Sequence, residues 1–109
     1  MTVLILVPAA VGAVPAPPGG RIAAFATPAE AAAILAADPS PAVILTDTLD
    51  AAAQETIAGA LRDHTRPCIE VRSARWDGAS PSPLSAACRG VISGFGTRAI
   101  ATAVSLVSG

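Results

Sequence analysis

Lysine is absent from this 109-residue chain: all seven cationic side chains are arginine. Its absence removes Schiff-base chemistry, Walker-type phosphate binding and any lysine-dependent phosphoryl switch. Histidine occurs once, at His64, and cysteine twice, at Cys68 and Cys88, twenty positions apart with no CxxC spacing. That is too sparse a ligand set for a metal site, so no metal and no cofactor is expected. Each cysteine reads as a buried structural thiol, which suits a reducing compartment and a cytoplasmic location. His64 has no serine, cysteine or carboxylate relay at a motif spacing and is expected on the surface. Charge is scarce as well, at 14% of residues with a net −1, and the arginines are scattered. No basic stripe exists to neutralise phosphates, so nucleic acid is not expected as a partner. No apolar run approaches the roughly twenty residues that span a bilayer, so no membrane insertion is expected. The opening Met1 to Val7 lacks the basic n-region of a secretory signal and is interrupted by Pro8.

What is abundant is apolar surface to bury. Hydrophobic residues make up 52% of the chain, which excludes a disordered tail and, at this length, predicts one domain with one core. Val3 to Val7 is wholly apolar and closed by Pro8, the pattern of a strand buried on both faces of a parallel sheet. Ala9 to Gly20 carries Pro15, Pro17, Pro18, Gly19 and Gly20 and cannot sustain the helix expected after a first strand. Ile22 to Ala26 resumes a short strand. Thr27-Pro28-Ala29-Glu30 is a capping box with proline at the first helical position, predicting a helix from Pro28 to Ala37 with Ile34 and Leu35 toward the sheet. Asp38-Pro39-Ser40-Pro41 ends it.

Ala42 to Thr46 is a second fully buried strand, with Asp47 at its carboxyl end. Asp50 is placed to cap a helix in which Ala53, Ile57 and Leu61 recur every four residues, with Glu55, Arg62 and Asp63 toward solvent. Cys68 to Arg72 is a strand whose alternation puts Cys68, Glu70 and Arg72 on one face and Ile69 and Val71 on the other. Glu70 is expected at an edge or paired with an arginine. Ser73 to Ser82 reads as a loop and Ser82-Pro83 as the start of a short helix through Cys88. Gly90 to Ser93 is the last strand, and Thr97 caps a final helix with Ile100, Ala103, Val104 and Val107 in one apolar stripe.

The order predicts an α/β domain: a three-layer sandwich around a parallel sheet of four or five strands, flavodoxin-like, with a Pro/Gly loop in place of the first crossover helix. Functional groups in such sheets collect beyond the carboxyl ends of the strands. Asp47 and the hydroxyl of Ser73 belong to that edge, and Gly94, Gly96 and Thr97 join a strand to a helix where amides can meet a small anion. Asp47 as a phosphoacceptor would need further carboxylates after strand one, where the chain has Pro8-Ala9-Ala10. Trp76, beside Arg72, Arg75 and Asp77, is a candidate interface anchor. From Ala99 to Gly109 there is no charged side chain, so Ile100, Val104 and Val107 are expected to meet a protein partner or a second copy of the chain.

The element order resembles the receiver domain of bacterial response regulators. The stretch FATPAEAAAILAADPSPAVILTD, Phe25 to Asp47, looks like that family's second helix and third strand ending at the phosphoacceptor position, Asp47. IEVRSA looks like its fourth strand ending in the hydroxyl residue, at Ser73, and CRGVISGFGTRAIATAVSLVSG is similar to its fifth strand and last helix. The family's acidic pair after strand one and its lysine after strand five are missing, so the resemblance implies a degenerate receiver that works without phosphorylation, as a non-catalytic interaction domain. A second resemblance is to the small F subunit of V-type and archaeal rotary ATPases. It is carried by CIEVRSARWDG and LSAACRGVISGFG, and it implies a structural subunit docked on a central stalk, with one continuous helix from Ser82 through Phe95.

Overall fold

The computed structural model describes residues 2–12, 14–46, 49–63, 67–72, 90–93 and 99–108. Five strands, β1 (Val3–Pro8), β2 (Gly20–Phe25), β3 (Ala42–Leu45), β4 (Cys68–Arg72) and β5 (Gly90–Ser93), form one sheet in the order β2-β1-β3-β4-β5. Every pairing is parallel. Helices α1 (Pro28–Ala37), α2 (Ala51–Asp63) and α3 (Ala99–Ser108) complete the described elements. This is the flavodoxin-like strand order.

Strands covered on both faces must be apolar at every position, and β1 and β3 are buried throughout. Leu4, Leu6, Ala42, Ile44 and Cys68 pack with Ala31 and Leu35 of α1 and Ile57, Ala58 and Leu61 of α2. On the other face Val3, Ile5, Val7, Val43, Leu45, Ile69 and Val71 pack with Ala99, Ile100, Ala103, Val104 and Val107 of α3. Each fully buried aliphatic side chain contributes about 1.5–3 kcal/mol.

The loop expected after strand one is there. A single 3-10 turn at Ala9–Val11 follows β1 and closes at Gly12, whose φ of 88° suits glycine. Val11 and Val14 lie against the α3 face, covering part of what a crossover helix would cover. At the start of β2, a Cβ on Gly20 would lie 2.5 Å from the tip of the Ile5 side chain, so any larger residue there requires Ile5 to shift.

Helix α1 begins where the capping box predicts. The Glu30 amide donates to Thr27 Oγ1 at 3.2 Å, and Glu30 Oε1 accepts from the Thr27 and Ala26 amides. Thr27→Ala is expected to cost about 1 kcal/mol, read as a lower urea midpoint with an unchanged slope. Ile34, expected to face the sheet, is only half-buried, because Ala31 and Leu35, one helical turn apart, take that contact.

Asp38 closes α1, accepting the Ser40 amide at 3.0 Å and pairing with the Arg21 guanidinium. Hydrogen bonding from the Ser40 side chain and then its amide, with the nearby Arg21 charge, outweighs desolvation and holds the Asp38 carboxyl below its ordinary value of 3.8. A depressed folded-state pKa gives stability that is present above the unfolded value and lost as pH falls through the folded one. Asp38→Asn should therefore flatten the acid limb of the stability curve, measured by denaturation at stepped pH.

Two further placements are corrected: the edge, one of the two alternatives for Glu70, and the buried stripe of α2. Glu70 lies on β4, between β3 and β5 and not at an edge. In α2 the buried positions are Gln54, Ile57, Ala58 and Leu61, and Ala53 is half-exposed. A four-residue repeat drifts around a 3.6-residue helix, so the sheet-facing stripe runs through 54 and not 53.

Candidate functional site

The chain leaves β1 for β2 on one side and then crosses to β3 on the other. Strand order therefore reverses between β1 and β3, and the crevice beyond their carboxyl ends is where ligands of open parallel sheets bind. An open cleft of about 470 Å³ lies there. Pro8, Ala9 and Ala10 after β1 form one part of it. Phe25, Ala26 and Pro28 at the β2–α1 junction form another, and Leu49, Asp50, Ala52, Ala53 and Thr56 complete it from α2.

Its polar side chains are committed to their own helix. Asp50 Oδ1 accepts the Ala53 amide at 2.8 Å, the N-cap expected of it, and the Thr56 hydroxyl donates to the Ala52 carbonyl at 3.2 Å. Two helix N-termini border the cleft, and each already holds a carboxylate, Glu30 on α1 and Asp50 on α2. A second anion would meet that negative charge before it met a free amide. The described lining contains no nucleophile within reach of a base, and no group of metal-ligating residues occurs among the described residues.

A second polar constellation joins the strand ends beneath α2. Glu70 is 0% exposed, and the Thr46 hydroxyl donates to its Oε1 at 2.9 Å. Thr46 is held further: its amide donates to the Val71 carbonyl at 3.1 Å, and its own carbonyl accepts from the Leu49 amide at 3.1 Å. Gln54, buried on α2, donates through Nε2 to the Leu49 carbonyl at 3.2 Å. One polar chain thus ties β4 to β3 and β3 to α2. Sequence reading missed Thr46 and Gln54 as members. A polar residue inside the periodic stripe 54, 57, 58, 61 was the available signal for Gln54, whereas Thr46 passed for an ordinary strand residue.

Of the expected site residues, Asp47, Ser73, Trp76, Gly94, Gly96 and Thr97 lie outside the described residues, as do His64 and the helix expected from Ser82. Ile100, Val104 and Val107 are described, and they correct the expectation of a partner interface. They are 2%, 4% and 6% exposed and belong to the core against the sheet. The absence of charge in α3 is explained in large part by the chain's own sheet, which covers the stripe. Outward, α3 presents Ala101, Thr102, Ser105 and Leu106, the last 54% exposed. No helix among the described residues is long and apolar enough to cross a membrane.

No family model matches the chain, and no curated protein matches it. Among solved structures, a 3-dehydroquinate dehydratase-like protein from Bifidobacterium longum is similar, with a TM-score of 0.64 over 99% of this chain and 96% of that one, at 19% identity. A likeness at that identity concerns the fold.

Proposed function

We propose that this chain is a non-catalytic protein-interaction module, a receiver-like domain that acts without phosphorylation. The observation that carries the reading is the end of β1. The switch-point cleft receives Pro8, Ala9 and Ala10 where metal-assisted phosphoryl transfer would need carboxylates. Asp50, the titratable side chain of the described lining, is used as a helix cap. A dehydratase-like reading drawn from the similar structure finds only the capping Asp50 and the helix-bonded Thr56 as polar side chains of the described lining.

The alternative, an F-like subunit of a V-type rotary ATPase, called for a continuous helix through Phe95. The strand at Gly90–Ser93 favours the receiver-like reading over it. The third reading, a small-anion-binding domain, is disfavoured at the cleft by the two capping carboxylates.

Two measurements test the proposal. Incubated with acetyl phosphate and magnesium, the protein should gain no phosphoryl group by intact mass. Stoichiometric labelling that disappears in Asp47→Asn would overturn phosphorylation independence. Captured from its host through a tag, it should bring down kinases or regulators of a signalling pathway, and recovery of rotary ATPase stalk subunits would make it a structural subunit instead. We place the protein in the cytoplasm on the same reading.

A further inference from the structure

From the edge strand β2 we infer that the chain pairs with a second copy of itself, β2 against β2 in antiparallel register, to form one continuous sheet across a two-fold axis. The inference rests on backbone geometry alone and does not depend on the receiver-like reading.

In a parallel ladder, alternate residues turn both backbone groups toward one neighbour. Val3 is the register partner of Gly20, and the Val3 amide donates to the Gly19 carbonyl at 2.8 Å. That bond sets the parity: Arg21, Ala23 and Phe25 turn their amides toward β1, and Gly20, Ile22 and Ala24 turn theirs outward. Both ends of the outward row are closed. The Gly20 amide donates to the Pro17 carbonyl at 3.0 Å, and the Ala26 amide donates to Glu30 Oε1 at 2.8 Å. Between them, Ile22 and Ala24 each present an amide and a carbonyl that no other described group of the chain takes up.

Natural edges are guarded by charges, prolines or bulges. Here the register with β1 runs without interruption from Gly20 to Phe25, and no proline falls within it. Its single charge, Arg21, is engaged within the chain by Asp38 at the end of α1.

The free row matches itself. Antiparallel pairing of Ile22 with Ala24 of the second copy, and of Ala24 with its Ile22, makes four hydrogen bonds about an axis through Ala23. The close, non-bonded pair at that axis is then alanine against alanine. A longer strand from another protein would run into the committed amides of Gly20 and Ala26, whereas a second copy stops where the free row stops. Two-fold symmetry closes the assembly and leaves β2 no further edge to extend. Four bonds over a short edge fall well below a standard interface, so the dimer forms at high concentration.

The test uses the full chain between about 0.01 and about 1 mM, followed by sedimentation and by residue-resolved amide hydrogen exchange. At low concentration the amides of Arg21, Ala23 and Phe25 should exchange slowly and those of Ile22 and Ala24 fast. At high concentration Ile22 and Ala24 should become protected as the dimer appears. Ala24→Pro removes an outward amide that β1 does not use, and proline is tolerated at such edge positions. It should weaken self-association about tenfold or more. Should it fail to fold, Ala24→Lys serves instead by bringing two like charges together near the axis. Leu106→Asp, on the outer face of α3, should dimerise as the parent does. A parent that stays monomeric at the highest concentration would overturn the inference. So would a dimer that survives both Ala24 variants, or one abolished by Leu106→Asp.

Discussion

Ile100→Asp is expected to unfold the domain. The side chain is buried against Val43, Leu45 and the other apolar residues of the α3 face. Aspartate there loses the transfer energy of the aliphatic group, leaves a partial cavity and places a carboxylate in an apolar layer. The first two terms alone are about 2–5 kcal/mol, and an unpaired buried charge adds several more. Against a total stability of about 5–15 kcal/mol, most of the population should lose its helical circular dichroism at 25 °C. Leu106→Asp, six residues on, should shift stability by no more than about 0.5 kcal/mol, because its side chain already faces solvent. If the two variants behaved alike, either both folded or both unfolded, the assignment of the two faces of α3 would be wrong. The contrast also dictates how any partner of α3 must be probed. Substitutions in the Ile100, Val104 and Val107 stripe report on folding, and only the Ala101, Thr102, Ser105 and Leu106 side can report on binding.

The second large effect belongs to Thr46. Valine has nearly the same shape but removes the hydroxyl that donates to Glu70 Oε1, leaving a fully buried carboxyl group short of a donor. Because the partner is left behind in a place water does not reach, Thr46→Val should cost about 1–3 kcal/mol, measured by urea denaturation. Glu70→Gln, which keeps a carbonyl oxygen able to accept the bond, should cost less than Glu70→Leu. In a double-mutant cycle, Thr46→Val combined with Glu70→Leu should cost less than the sum of the single changes, since removing both ends leaves no orphan at that bond. A coupling of about 0.5–3 kcal/mol is expected for groups in contact. Strict additivity would mean that the bond contributes nothing.

Much of the architecture was legible because it is dictated locally. The all-apolar runs at Val3 and Ala42 have one stable placement, inside a parallel sheet. The Thr27-Pro28-Ala29-Glu30 box names its own helix start, and α1 begins and ends at Pro28 and Ala37 as its capping and stop signals require. The Pro/Gly stretch after β1 forbids a long helix whatever surrounds it, and only a 3-10 turn forms there. Glycine and proline act through the backbone of their own position, which is why their consequences survive without tertiary information.

The candidate site was legible only in outline. That functional groups would gather beyond the carboxyl ends of the strands follows from parallel topology alone, and the cleft at the β1/β3 reversal lies there. What occupies that edge depends on residues far apart in sequence. Glu70 meets Thr46, 24 positions earlier, and nothing in either strand's local pattern announces the pairing. Gln54 was hidden by counting in fours along a helix that turns in 3.6 residues.

By itself, then, the sequence determined the fold class, the caps of α1 and α2, the missing first crossover helix and the exclusion of lysine chemistry, all consequences of residue type and short-range spacing. Only the tertiary structure decided which side of the charge-free last helix is covered, where Glu70 finds a partner, and which backbone groups of β2 are left facing outward. Those three depend on strand order and register, which are set by contacts between segments that the chain brings together from a distance.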